Sequence, residues 1–413
     1  MQATTTVVLG GGIGGIVAAN ELRRRLPSDH RVILVEKNAT HAFAPSFLWV
    51  MTGDRRPGEV CRPLASLMRN GVELVISEVV RIDPGLRTVQ TGSAEIAYDR
   101  LVVALGADLI PNAVRGLAEA AHTFFTFDGA TRLRDALRAF RGGRIAIVVS
   151  ALPYKCPGAP HEGAMLIADY FRRQGLFRKV EVHLFTPEPQ PMPVAGPQLG
   201  EAVRQMLNSK EIVFHPLHKL TAVEPGGREL IFESGDRFHY DLLAAVPPHR
   251  APKAVIEAGL TNQAGWISVN PQTLSANHPG VYAIGDVTAI PIPGRWKPDV
   301  PLMLPKAGVF AHAQAQIVAR RIAAEITGRP CETTFCGDGF CMLEAGEDLA
   351  GFAFGNFFAQ PSPSVQLRQI GRAWHIGKVL FEKWWLAPAG LGRSFIGWTL
   401  KAGSKLYGIP IDL

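Results

Sequence analysis

Nowhere does the chain run through about 18 consecutive apolar residues, which excludes an ordinary transmembrane helix. Cysteine is scarce: Cys61, Cys156, Cys331, Cys336 and Cys341 are the only five in 413 residues. That is too few for a disulfide scaffold and leaves redox, metal or plain core roles. The N-terminus lacks a charged segment followed by an apolar one, so no cleaved export signal is expected. No basic stretch is interleaved with aromatics, so a nucleic-acid partner is not expected. The net charge of +7 is mild. It suits an anionic membrane surface or substrate, or simply a basic surface without a specific partner.

What is present is ordinary for a folded enzyme, with 47% hydrophobic and 19% charged residues. The length exceeds what one core organises and implies two or three domains. "TTTVVLGGGIGGIVAANELRRRL" near the start reads as a β-branched strand, a glycine turn and a helix. Gly10, Gly12 and Gly15 fall on the dinucleotide fingerprint, for the tight turn, the approach of a pyrophosphate and close helix–strand packing respectively. The next strand, "RVILVEK", ends in Glu36, placed for a ribose hydroxyl, with Lys37 beside it. Two later strand ends return to the same ligand. One is "YDRLVVALGA", with Ala104 and Gly106 in its turn, and the other is "HPGVYAIGDVT", with Gly285 and Asp286. Both resemble motifs of the flavoprotein family with two dinucleotide domains, which selects FAD. Asp286 reads either as a flavin ligand or as a helix N-cap, roles that are compatible.

A second strand–helix–strand unit follows, and its expected glycine loop is missing. After "GRIAIVVS" the turn reads "ALPYKCPGAP". Pro153, Pro157 and Pro160 supply no N–H groups and fix their own φ angles, so this loop is a poor cradle for a pyrophosphate. The strand "KVEVHLFTPEP" also lacks an acid equivalent to Glu36, Glu188 lying two residues too late. This argues against NADH as donor. The loop carries Cys156 just ahead of a helix, a setting expected to lower a thiol pKa. Its partner is expected among Cys331, Cys336 and Cys341, whose regular five-residue spacing is not a usual zinc pattern.

The stretches "PYKCPGAPHE", "VPPHRAP", "VYAIGDVT", "LPKAGVFAHAQA", "GDGFCMLEAG" and "WHIGKVLFEKWWL" together resemble the sulfide:quinone oxidoreductases over nearly the whole chain. The flavoprotein subunit of flavocytochrome c sulfide dehydrogenase is a close cousin, and type II NADH dehydrogenases share the fold. The resemblance implies an α/β fold of two tandem Rossmann-like domains, the second inserted in the first, plus a C-terminal membrane-associating segment. The expected divisions are 1–110 with 246–330 for FAD, 111–245 for the cysteine loop, and 331–413 for quinone and membrane. It implies that Cys156 pairs with Cys341, Cys336 being the second choice, and that Glu162 is an acid–base group. Glu162 reads equally well as a first-turn carboxylate favouring the helix dipole. Lys306 is expected near the flavin, Lys378 near its pyrimidine end on the quinone side, and Phe43, Phe381 and Trp398 with Lys378 around the quinone.

The chain departs from the family in one place. Where many members have a third functional cysteine, "HTFFTFDGA" puts Phe124 and Phe125, which resembles the two-cysteine flavocytochrome arrangement. The C-terminal segment points the other way. "GRSFIGWTLKAGSKLYGIPIDL" mixes large apolar side chains with Arg393, Lys401 and Lys405, as suits a helix lying in a membrane interface. The implied enzyme is a peripheral membrane protein that oxidises sulfide to zero-valent sulfur or polysulfide through a cysteine pair and FAD and reduces a quinone. A homo-oligomer is compatible with this reading, and no metal is called for.

Overall fold

The computed structural model describes residues 3–388 and 390–408. The strand Thr5–Leu9 is β-branched and buried on both faces, as a central parallel strand must be. It pairs in parallel with Arg31–Glu36 on one side and Arg100–Val103 on the other. Val72–Ile76 and Val281–Ala283 complete a five-stranded parallel sheet. Its last strand therefore arrives some 180 residues after its neighbour, and the chain between them builds other units. One is a four-stranded parallel sheet ordered Val213–His215, Val180–Phe185, Gly143–Val149, Leu242–Val246. In each unit a three-stranded antiparallel excursion, at 79–97 and 220–239, comes just before one strand of the parallel sheet, Arg100–Val103 and Leu242–Val246 respectively. The repeat is the same unit used twice.

Glycine decides how tightly the first unit closes. Gly10 sits at φ +102°, a region that favours glycine. A Cβ on Gly15 would lie 1.8 Å from the Gly10 carbonyl oxygen. Backbone cannot yield as a flexible side chain does, so Gly15→Ala is expected to destabilise the chain by about 1–3 kcal/mol or more. It should also yield flavin-poor protein, read by thermal melting together with flavin content.

The chain ends in an antiparallel sheet of Asp338–Gly346, Leu349–Asn356 and Ser364–Gly371, followed by helices Arg372–Leu386 and Leu391–Leu406. The sheet strand Asp338–Gly346 packs on the helix Ala159–Arg173 that follows the cysteine loop, and the helix Arg372–Leu386 packs on the sheet. In this way the C-terminal unit reaches the loop of the second unit. Among the described residues no helix is long and apolar enough to cross a membrane.

Candidate active site

The helix Ile13–Arg25 starts at Gly12 with no side-chain cap and no acidic residue in its first turn. Its free N–H groups and partial positive charge therefore face outward, towards a cavity of about 1880 Å³. That is larger than the ~300–1,000 Å³ usual for one small ligand, and gives room for a dinucleotide and a second molecule. Gly10, Gly12, Glu36 and Lys37 line one arm, joined by Ala104, Gly106, Gly285 and Asp286. Gly15 is not a lining residue, since its place is the helix–strand contact described above. Glu36 accepts from the backbone N–H groups of Gly11, at 2.6 Å, and Asn38, at 2.9 Å.

Two observations test whether this arm fits FAD. A Cβ on Gly12 would meet nothing within 4 Å, so the backbone there is open to a close-lying phosphate. Asp286 Oδ1 is buried with no hydrogen-bond partner, which is costly unless a ligand donates to it. Burial raises the Asp286 pKa, against the pull of Lys155 and Lys306. The residues fit the cofactor. Asp286→Ala is expected to weaken flavin retention about tenfold, the effect of roughly 1.4 kcal/mol, measured by flavin release on dilution.

Lys306 stands at the junction with the cysteine loop. Its Nζ donates to the carbonyls of Asp286 (2.8 Å) and Thr288 (2.7 Å) and lies 3.6 Å from the Trp266 ring centre. Burial lowers its pKa to about 8, with Asp286 opposing. Its own carbonyl accepts from the Cys156 N–H at 2.6 Å and so anchors the loop.

Cys156 lies at φ +55°, a left-handed conformation uncommon outside glycine. It opens into the cavity, as does Cys341 from the strand Asp338–Gly346. All five cysteines are free thiols in the structure. The two segments nearly touch, since a Cβ on Gly158 would lie 3.5 Å from Cys341 Sγ and 3.6 Å from Glu162 Oε2. Cys336 also borders the cavity, but its Sγ is turned to the Thr334 carbonyl at 3.6 Å. The expectation of a lowered thiol pKa is overturned. Cys156 is pushed up to about 12, first by desolvation and then by the Glu162 carboxylate, with Lys378 opposing. Cys156 is exposed where it borders the cavity, yet desolvation by the protein packed around it outweighs the nearby helix end. Burial and Glu162 likewise raise Cys341 well above its ordinary value.

Glu162 is buried in the first turn of its helix and accepts from Lys378 Nζ at 2.5 Å and from the Glu344 N–H at 2.9 Å. Lys378 was expected with the quinone, and the structure pairs it with Glu162, where its charge bears on both thiols. Burial works against the Lys378 ammonium, yet Glu162 and Glu344 prevail and raise its pKa. Phe43 and Phe381 line the cavity together, their ring centres 6.2 Å apart, and Phe43 stacks on Trp385 at 5.9 Å. Trp398 departs from expectation, since it is 67% exposed on the last helix and does not border the cavity. Arg393, expected among the surface cations, instead lies 4.9 Å from the Trp384 ring centre.

Sequence reasoning missed two features. Trp385, the second of two adjacent tryptophans in its motif, donates to the His41 ring at 2.9 Å and backs Phe43. Glu188, dismissed as displaced, is buried on the cavity wall and accepts from Tyr154 Oη at 2.9 Å. Burial raises its pKa to about 7, with Tyr154 and Thr186 opposing. An acid two residues beyond a strand end, opposite a loop tyrosine, was the available signal. Phe124 and Phe125 are buried against each other with ring centres 5.3 Å apart and line the cavity wall. Among the described residues no group of three or more His, Cys, Asp or Glu is arranged to hold a metal.

Comparison with known proteins gives a consistent family. The profile of the pyridine nucleotide-disulphide oxidoreductases matches residues 4–315. The sulfide-quinone reductase of Aquifex aeolicus (strain VF5) is 28% identical over 428 aligned residues, covering 100% of this chain and 97% of the relative. The mitochondrial sulfide:quinone oxidoreductase of Mus musculus is 26% identical over 368 residues, covering 86% of this chain and 78% of the relative. The solved structure of the sulfide:quinone oxidoreductase from Aquifex aeolicus superposes with a TM-score of 0.83 at 25% identity, covering 97% of this chain and 92% of that one.

Proposed function

Since the chain belongs to the pyridine nucleotide-disulphide oxidoreductase family, we propose that it oxidises sulfide and delivers the two electrons through FAD to a quinone. The observation that carries this reading is the presence of Cys156 and Cys341 on one cavity wall, beside the buried Glu162–Lys378 pair and continuous with the dinucleotide arm. Gly10, Gly12, Glu36 and Asp286 would hold FAD, which when bound supplies the two-electron acceptor. Hydrosulfide attacks the Cys156–Cys341 disulfide of the oxidised enzyme, leaving a persulfide on one cysteine, and the hydrosulfide proton passes by way of Glu162 to the sulfur set free on the other. Return of the disulfide releases zero-valent sulfur and two electrons. Glu162 accepts and returns protons at the sulfur atoms, while Lys378 balances its charge. The raised thiol pKa values fit an enzyme that rests with its sulfurs joined, because free thiolates are disfavoured there.

Phe43 and Phe381 offer flat apolar rings for a quinone, with Trp385 packed behind Phe43. An NADH-linked alternative needs phosphate-binding N–H groups after Gly143–Val149, which the proline loop does not supply. Anaerobic mixing with sulfide, and separately with NADH, tests the choice. Sulfide alone should bleach the flavin. Bleaching by NADH and not by sulfide overturns the proposal.

A membrane-dissolved acceptor calls for a membrane-facing surface. Phe395 and Trp398 stack one helical turn apart on the last helix, at 68% and 67% exposure, and Leu406 is 80% exposed nearby. This supports a peripheral seat in one leaflet, with Lys401 and Lys405 towards headgroups. Replacing Phe395 and Trp398 by serine is expected to reduce binding to phosphatidylglycerol-containing vesicles about 10- to 100-fold, by flotation. Reduction by dissolved sulfide should persist in the same variant.

A further inference from the structure

The loop that presents Cys156 also carries a cation with no part in the scheme above. Lys155 is half-buried on the cavity wall and, among the described residues, forms no hydrogen bond or ion pair. Its backbone makes a parallel bridge with Lys306, so the chain is extended here. Successive side chains of an extended chain point to opposite sides. Tyr154 takes one side and reaches Glu188 in the second unit. Lys155 is left with the other, towards the flavin arm.

The charges around it agree with that direction. Burial is the largest influence on Asp286, and the Lys155 ammonium comes next, opposing it, ahead of Lys306. His249 is held down to about 4, first by burial and next by Lys155. It is paired in register with Leu109, just beyond the Gly106 turn of the flavin arm. The charges that weigh most on the Cys156 sulfur belong to Glu162, Lys378 and Asp286, not to the lysine beside it in sequence. Lys306 is committed elsewhere, since it donates to two carbonyls and lies against Trp266. Lys155 thus faces the carboxylate of Asp286, whose Oδ1 is equally without a hydrogen-bond partner, and no ion pair joins the two. An ammonium drawn partly out of water and an orphan carboxylate oxygen both cost free energy. A ligand with a hydroxyl for Asp286 and an electron-rich ring system for Lys155 relieves both, and FAD has both parts.

Conversion of hydrosulfide to zero-valent sulfur gives up two electrons and one proton. When all three pass to the flavin, the single negative charge of hydrosulfide ends there and no proton is left over. An ammonium fixed beside that charge stabilises it, and in a cavity short of water salt screens the attraction only weakly. Resting on the reading of Cys156 and Cys341 as the sulfide-oxidising pair, we infer that Lys155 faces the flavin and stabilises the negative charge delivered to it, which raises the cofactor's potential and favours electron flow from sulfur. The loop then serves both redox groups, with Cys156 for sulfur and its neighbour for the flavin.

The test is the midpoint potential of the flavin in the holoenzyme, measured by anaerobic equilibration with a reference dye. In Lys155→Met the preference for reduced flavin is expected to fall about tenfold, which for a two-electron couple is a potential about 30 mV more negative. Lys155→Gln, which keeps a donor and loses the charge, should fall with it. Lys155→Arg keeps the charge and should stay near the wild-type value. Unchanged potentials in the Met and Gln variants at full flavin content overturn the inference, as does an equal fall in Lys155→Arg. Loss of flavin from both uncharged variants also overturns it, by assigning Lys155 to cofactor retention. The electrons in this measurement come through the dye, so a wild-type flavin that sulfide does not reduce overturns the parent reading alone.

Discussion

Cys156→Ser is expected to lower the rate of flavin reduction by sulfide about a thousandfold or more, the scale on which removal of a nucleophile acts. Flavin content should be unchanged. A serine oxygen forms no disulfide, so hydrosulfide finds no sulfur to attack, and the position at φ +55° with its N–H on the Lys306 carbonyl is kept. Cys341→Ser should behave alike, because exchange needs both sulfurs. Cys336→Ser should stay within about twofold of wild type, since that thiol is turned to the Thr334 carbonyl. Stopped-flow reduction of the three variants under anaerobic conditions decides the matter. Loss of activity in Cys336→Ser with retention in Cys341→Ser would reassign the pair.

The second large effect concerns the buried pair Glu162–Lys378. Lys378→Met leaves a carboxylate enclosed by protein without its cation, and a loss of about 3–5 kcal/mol in unfolding free energy is expected. The double variant Lys378→Met/Glu162→Gln removes both charges and should regain most of that loss, which denaturant unfolding measures. The pH dependence has a definite sign. Lys378 has a raised pKa in the folded protein. The stabilisation this brings is fully present below the ordinary lysine value of 10.5 and fades as pH rises through the higher folded value. Glu162→Gln acts on the thiols. Desolvation is the larger cause of their raised pKa values and remains, while the carboxylate's contribution disappears. The midpoint for iodoacetamide alkylation of the reduced enzyme should therefore move to lower pH, from about 12 for Cys156. A midpoint that stays put or rises would deny Glu162 its electrostatic role.

What the sequence determined by itself was local. Gly10-x-Gly12-x-x-Gly15 requires a turn and a close helix, and three prolines around Cys156 remove donors whatever the surroundings. These are properties of a few adjacent residues, so the dinucleotide arm and the cysteine loop were legible without coordinates. The parallel sheets followed from apolar β-branched runs that only a doubly covered strand accommodates.

Tertiary structure decided everything that depends on which distant segments meet. Lys378 lies 216 positions from Glu162, and no spacing rule links them; packing of the helix Arg372–Leu386 on the C-terminal sheet does. The same packing overturned the expected thiol acidity, because desolvation depends on all the atoms that surround a sulfur and not on the helix beside it. Trp398 and Trp385 read alike as aromatic residues near the end of the chain. The fold buries one against Phe43 and His41 and leaves the other in solvent, since burial is a property of neighbours in space.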